Sequence, residues 1–118
     1  MLGGLHKRGP KIWTGGAMDA LPVADKAVIV DVRSLPEHDM PTTTQVNVFM
    51  RQIDRAVKHG DNVLIKCRAG ISRSPTVAHL YLIGRGESFD RTGSMPNRAY
   101  QEFYRQHEGY YKQRRWLE

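Results

Sequence analysis

The sequence contains a single cysteine, Cys67, among 118 residues. One cysteine excludes an intrachain disulfide and any metal site built from several thiolates, so Cys67 is either a packed small side chain or a reactive thiol. No segment approaches the ~20 consecutive apolar residues of a membrane-spanning helix. The start of the chain (MLGGLHKRGP) also lacks the apolar stretch of a signal peptide, and we therefore expect a cytoplasmic protein without membrane insertion.

Internal repeats and low-complexity segments are missing too, and the chain length suits one domain. Hydrophobic residues make up 40% and charged residues 25% of the chain, as in soluble globular proteins. Glycine and basic residues cluster in residues 1–10. We predict a flexible N-terminus over residues 1–10 and a single folded domain over residues 11–118.

Acidic residues are outnumbered by basic ones, 12 against 18, which gives a net charge of +6 with neutral histidines. A basic surface favours anionic partners, either nucleic acid or phosphorylated substrates. Basic residues spread over the surface for solubility would give the same total. The net charge therefore does not choose among these interpretations.

The hydrophobic pattern predicts strands that alternate with helices. Apolar runs indicate buried strands at residues 27–32 and 62–65, with a weaker strand at 11–14. Helical spacing indicates three helices: one that begins at caps within residues 42–44 and ends at Gly60, one over residues 75–83, and one that begins at Pro96. The tail KQRRWLE is basic, and its tryptophan is expected to be exposed. This alternation predicts an α/β layer fold in which residues 62–65 form a central strand.

The stretch VLIKCRAGISRSPT at residues 63–76 joins a strand to a helix through a glycine-containing loop. Backbone N–H groups at a helix start can bind a phosphate dianion. Five residues separate Cys67 from Arg73, so the loop can curl and place the guanidinium beside the sulfur, where it can grip two phosphate oxygens. The same positive field favours a nucleophilic thiolate, and the Ser74 hydroxyl can donate to the sulfur when the thiolate leaves.

The segment CRAGISRS resembles the signature of the cysteine-dependent protein tyrosine phosphatase superfamily, and it is most similar to that of a compact dual-specificity phosphatase. KIWTGGAMDA resembles the first strand and the following turn of that branch, and PTVAHLYLI resembles its helix after the loop. The resemblance implies a single three-layer α/β domain with a central, mostly parallel sheet flanked by helices. It also implies attack of Cys67 on a phosphoester, a cysteinyl-phosphate intermediate and hydrolysis by water, with no metal and no cofactor.

The resemblance assigns phosphate binding to the loop after Cys67. Small residues in this loop let the backbone approach phosphate closely, and longer side chains surround the mouth. The phosphate-binding residues are expected to be Arg68, Ala69, Gly70, Ile71, Ser72 and Arg73.

The sequence departs from the family pattern at Lys66, which stands where the family usually has histidine. Lysine cannot accept a hydrogen bond as neutral histidine can, so we expect the interactions around the sulfur to be retuned rather than lost.

The family places an aspartate that protonates the leaving oxygen upstream of the cysteine. Asp39, in the segment PEHDMP, resembles this general acid, and the flanking prolines would stiffen its loop. Asp31 and Glu37 are alternatives, and a further alternative is that no side chain serves. His38, Asn97 and Arg98 are additional residues that could approach the pocket.

The function implied by the resemblance is a protein phosphatase that acts on phosphotyrosine, with phosphoserine and phosphothreonine as additional substrates left open. The expected partner is a phosphorylated protein, without an obligate nucleic acid, and we expect a monomer. Alternatives are a phosphatase of RNA 5′ phosphates or phosphoinositides and a non-catalytic phosphate-binding module. The physiological substrate is not encoded in the shared loop.

A lone reactive cysteine predicts a specific response to oxidation. Mild peroxide should inactivate the protein, and since no second cysteine is available, reversible protection requires a backbone sulfenamide or an external thiol adduct. Mass spectrometry of Cys67 alongside activity measurements tests this prediction. An unmodified Cys67 with full activity after peroxide would contradict it.

Overall fold

The computed structural model describes residues 5–21, 26–70, 72–90 and 97–118. A mixed four-stranded sheet is flanked by three helices, which confirms the predicted α/β fold. The elements in chain order are β1 (His6–Gly9), β2 (Ile12–Gly15), β3 (Ala27–Asp31), α1 (Thr43–Lys58), β4 (Asn62–Lys66), α2 (Arg73–Gly84), α3 (Arg98–Lys112) and a short 3-10 helix (Arg115–Leu117).

Strand β4 lies inside the sheet, whose order is β1-β2-β4-β3. Its residues Val63, Leu64 and Ile65 are fully buried, as expected for a strand covered on both faces. β4 runs parallel to both neighbours, whereas β1 pairs antiparallel with β2. The carboxyl ends of β2, β3 and β4 therefore meet at one edge of the sheet, and the loops that follow them lie next to one another.

The chain start differs from the predicted flexible segment over residues 1–10. His6–Gly9 forms strand β1, and residues 1–4 lie outside the described ranges. Arg8 is buried, and its Nε donates to Thr14 Oγ1 at 2.7 Å while its guanidinium lies over the Phe89 ring. Strand pairing and these side-chain contacts order a segment whose local composition indicates flexibility.

Helix α1 begins at a capping box that also fixes the end of the preceding loop. Thr42 Oγ1 accepts from the Gln45 N–H at 3.1 Å, and Gln45 Oε1 accepts from the Thr42 N–H at 2.9 Å. One side of α1 is buried in the core through Val46, Met50 and Ile53. The start of α1 is thus set by local hydrogen bonds and its orientation by apolar burial.

Helices α2 and α3 pack on each other, and the 3-10 helix at the chain end packs against α1 and α3. α2 is buried on most sides, as predicted, and begins two residues earlier than the predicted residue 75. The expectation of an exposed tryptophan is wrong, because Trp116 is 2% exposed and its ring lies 6.1 Å from that of Tyr81. The basic residues around Trp116 concealed its burial from the sequence pattern. Within the described ranges, no helix has the length and apolar character to cross a membrane.

A buried amide joins α1 to α3 and predicts a stability effect. Asn47 donates through Nδ2 to the Tyr110 hydroxyl and accepts from the Tyr111 hydroxyl, both at 2.8 Å. Asn47→Ala leaves the buried Tyr111 hydroxyl without this acceptor, so we expect the free energy of unfolding to fall by about 2 kcal/mol. Urea denaturation measures it, and the exposed Gln52→Ala on the same helix should change it by less than ~0.5 kcal/mol. Equal midpoints for the two variants would contradict the prediction.

Candidate active site

The loop that follows β4 carries Cys67 at the carboxyl edge of the sheet. It connects Lys66, the last residue of β4, to Arg73, the first residue of α2. Cys67 is 2% exposed, and Gly70 adopts a positive φ of 74°, a conformation that side chains with a Cβ rarely adopt. Ile71, an expected phosphate-loop residue, lies outside the described residues. We refer to residues 67–73 as the phosphate loop.

Two polar groups lie within hydrogen-bond distance of the sulfur. The Gly70 N–H donates to Cys67 Sγ at 3.2 Å, and Ser74 Oγ lies 3.2 Å from the same atom. Ser74 is fully buried in the first turn of α2, so its hydroxyl is held close to the sulfur. The sulfur thus lies between a backbone N–H of the phosphate loop and a hydroxyl of α2.

The start of α2 is arranged to accept an anion. Ser72 precedes the helix, but its Oγ accepts from the Asn97 N–H at 3.0 Å instead of capping α2. Across the described ranges, no side chain caps this helix start, and its first turn contains no acidic residue. The first N–H groups of a helix carry the positive end of its dipole and have no intrahelical acceptor. They can therefore bind phosphate oxygens next to Cys67.

Arg73 connects the phosphate loop to the segment after β3, residues 33–41, which we call the acid loop. Its Nη1 donates to the carbonyl oxygens of Arg33 at 2.9 Å and Leu35 at 3.1 Å. The side chain is buried, and its Nε and Nη2 make no hydrogen bond to any of the described residues. One part of the guanidinium thus anchors the loops together while the other donors remain available to a phosphate.

A cavity of about 190 Å³ lies at Cys67, and a larger open groove of about 630 Å³ shares lining residues with it. Glu37 and Arg73 contribute to both. The cavity is lined by Glu37, His38, Cys67, Ala69, Ser72, Arg73 and Asn97. The groove adds Asp31, Arg33, Ser34 and Arg68. The exposed Arg68 thus lies at the mouth, and Arg98 is exposed and absent from both linings.

The three candidate proton donors, Glu37, Asp39 and Asp31, differ in their position relative to the cavity. Glu37 and His38 line the cavity, whereas Asp39 is exposed and does not. Asp31 ends β3, and Arg33 binds its carboxylate with an Nη2–Oδ2 distance of 2.8 Å. The hydrogen bond from Arg33 lowers the pKa of Asp31, which leaves it ionised and a poor proton donor near neutral pH.

A small-residue turn supports the phosphate loop from the end of β2, a contact that the sequence pattern did not reveal. The Ala17 N–H donates to Arg68 O at 3.1 Å, and a Cβ at Gly16 would lie 3.2 Å from that oxygen. The two adjacent glycines (GGA) were the available signal, because close backbone approach requires small residues. Lys66 is the last residue of β4 and lies opposite Gly15 of β2. Its charge contributes to lowering the pKa of Asp31.

Comparison with known proteins agrees with this architecture. The sequence model of the family described as "Dual specificity phosphatase, catalytic domain" matches residues 18–105. The crystal structure of Tk-PTP in the active form is similar, with a TM-score of 0.64 and 19% sequence identity over 91% of this chain and 97% of that chain. No curated protein matches the sequence. The family match supports a cysteine-based phosphatase. The chain belongs to the dual-specificity phosphatase catalytic-domain family.

The geometry around Arg73 predicts how the site binds a phosphate analogue. Arg73→Lys keeps the positive charge but loses the planar set of donors that reaches two carbonyls and an anion together. We expect affinity for tungstate to fall by about tenfold or more, measured by isothermal titration calorimetry. Arg98→Lys, at an exposed position outside the linings of both the cavity and the groove, is the control and should change affinity by less than about twofold. Equal losses in both variants would contradict a special role for the buried guanidinium.

Proposed function

We propose that this protein is a metal-independent protein phosphatase that hydrolyses phosphotyrosine at Cys67. The observation that carries the proposal is the placement of Cys67 Sγ within 3.2 Å of the Gly70 N–H and Ser74 Oγ, at the uncapped start of α2 and in the same cavity as Arg73. Family membership supports protein phosphatase activity in general. Phosphoserine and phosphothreonine peptides are additional candidate substrates, to be tested in the same assay.

The first step is an in-line displacement. The Cys67 thiolate attacks phosphorus, an S–P bond forms, and the bond to the tyrosyl oxygen breaks as that oxygen receives a proton. The Arg73 guanidinium and the first N–H groups of α2 stabilise the negative charge on the non-bridging oxygens. The result is a cysteinyl phosphate and a free tyrosine side chain.

The second step releases phosphate. Water attacks the phosphorus atom, a base accepts its proton, and the S–P bond breaks with its electron pair remaining on sulfur. Ser74 Oγ, 3.2 Å from Sγ, can donate a hydrogen bond to the departing thiolate. The acid loop supplies the base, since the group that gave its proton in the first step can take one back.

We assign the general acid to Asp39. Support comes from the resemblance of PEHDMP to the acid segment of the family and from the position of Asp39 directly after His38, which lines the cavity. Asp31 is less suitable because Arg33 binds its carboxylate. Glu37 is the strongest alternative, since its own side chain belongs to the cavity wall.

A phosphopeptide suits the open groove better than a polyanion such as RNA. Two arginines, Arg33 and Arg68, line the groove beside Arg73, but Asp31 and Glu37 offset their charge. Arg33 is moreover engaged by Asp31 at 2.8 Å. The net charge of +6 therefore does not translate into a strongly basic surface around the cavity.

The proposal predicts hydrolysis of aryl phosphates in the presence of a chelator. Cys67→Ser should abolish turnover, and Asp39→Asn should lower kcat by about 10²-fold and remove the basic limb of the pH profile, because that limb reports loss of the donated proton. Glu37→Gln is the matched variant and should retain the basic limb. The pH dependence of kcat/KM for the four proteins provides the measurement.

The possible outcomes separate the assignments. Loss of the basic limb in Glu37→Gln alone would transfer the acid role from Asp39 to Glu37. Residual turnover in Cys67→Ser would overturn the nucleophile. An inactive wild-type protein that still binds a phosphotyrosine peptide through Arg73 would be a phosphate-binding module instead, and faster hydrolysis of RNA 5′ phosphates or phosphoinositides than of phosphopeptides would change the substrate class.

A further inference from the structure

Side chains from outside the acid loop bind most of the carbonyl groups in its first half. Arg73 donates to Arg33 O and Leu35 O, as described above. The next two carbonyl oxygens, those of Pro36 and Glu37, accept from the Tyr100 hydroxyl at 2.6 Å and from Asn97 Nδ2 at 2.7 Å. A segment without regular secondary structure is therefore held by hydrogen bonds to its backbone, up to and including Glu37, which lines the cavity.

Tyr100 is suited to a fixed contact. Its side chain is 1% exposed in the first turn of α3, so the ring is packed and the hydroxyl has a defined position. Burial raises the pKa of Tyr100 to about 12, with the Arg73 charge acting in the opposite direction. The hydroxyl therefore remains protonated, and a donor, throughout the neutral range. Tyr100 does not line the cavity, which separates it from the groups that would touch substrate.

Asn97 joins three elements. Its Nδ2 donates to the acid loop, its backbone N–H donates to Ser72 Oγ in the phosphate loop, and its Oδ1 caps α3 by accepting from the Tyr100 N–H at 3.0 Å. The N-cap alone would be satisfied equally by serine or aspartate. The amide Nδ2 provides something that neither of these residues can, a donor that reaches the Glu37 carbonyl.

We propose that Tyr100 and Asn97 are positioning residues that hold the acid loop at a fixed position relative to the phosphate loop, so that its proton donor lies within hydrogen-bond distance of the leaving oxygen. This inference rests on the proposed phosphatase function. Proton transfer depends steeply on the geometry of donor and acceptor, and the segment around Glu37 has no strand or helix of its own to fix it. Tyr100 and Asn97 act through backbone carbonyls and therefore serve whichever acid-loop side chain carries the proton.

The test is the dependence of kcat/KM on the leaving group. Acidic leaving groups such as difluoromethylumbelliferone depart without much help from a proton donor, whereas phenol and tyrosine require one. Tyr100→Phe keeps the packed ring and removes only the hydroxyl. We expect it to lower kcat/KM by about tenfold for phenyl phosphate and a phosphotyrosine peptide, and by less than about twofold for difluoromethylumbelliferyl phosphate.

Two further variants complete the test, one as a control and one as an independent repeat. Tyr111→Phe removes another buried hydroxyl, one that bonds to Asn47 away from the cavity, and should leave the leaving-group dependence unchanged. Asn97→Ser keeps a neutral capping oxygen but loses the donor to Glu37 O, so it should repeat the selective loss seen with Tyr100→Phe. Thermal melting of all variants verifies that each is folded under assay conditions.

The outcomes distinguish this inference from the proposed function. Wild-type turnover with an equal loss across all leaving groups, or with no loss, in both Tyr100→Phe and Asn97→Ser would overturn the positioning role and leave the phosphatase intact. Absence of wild-type turnover on every aryl phosphate would overturn both. A selective loss on basic leaving groups in both folded variants, with Tyr111→Phe unaffected, is the result expected from positioning, and a selective loss in only one of them would overturn the role of the other residue.

Discussion

Parallel pairing of β4 with both of its neighbours is the constraint on which the candidate site depends. It brings the ends of β2, β3 and β4 to one edge, with Gly15 and Asp31 both in register with Lys66. The glycine turn, the acid loop and the phosphate loop start from these residues. β4 can occupy this position because Val63, Leu64 and Ile65 are apolar and lose their contact with water on both faces of the sheet.

Arg73 contributes to the fold and, in the proposed mechanism, also to the chemistry, and its charge shapes the electrostatics of the site. Nη1 satisfies two acid-loop carbonyls that would otherwise lack these donors. Its charge also lies near an uncapped helix start, so the unliganded protein concentrates positive potential in one buried region. An anion that enters the cavity would compensate this potential, which is a physical argument for the proposed binding of phosphate that does not depend on the surface charge.

Predictions from sequence succeeded where local signals determined the structure. The apolar run at 62–65, the Thr42 cap and the order of strand, cysteine, glycine loop and helix each act within a few residues. Failures occurred where distant contacts outweighed local composition. His6–Gly9 is ordered by pairing with β2, and Trp116 is buried beside Tyr81 despite its basic neighbours. The catalytic roles of Cys67, Arg73, Ser74 and Asp39 remain predictions.

The sequence by itself predicted the class of chemistry, since Cys67 and Arg73 lie on one short loop whose spacing allows the thiol and the guanidinium to reach the same place. Only the tertiary structure decided what surrounds that loop. Glu37 comes from the segment after β3 and Asn97 from the start of α3, and no spacing along the chain indicates that the Asn97 amide reaches the Glu37 carbonyl at 2.7 Å. Such contacts depend on how helices pack on the sheet, which is set by burial of the whole core.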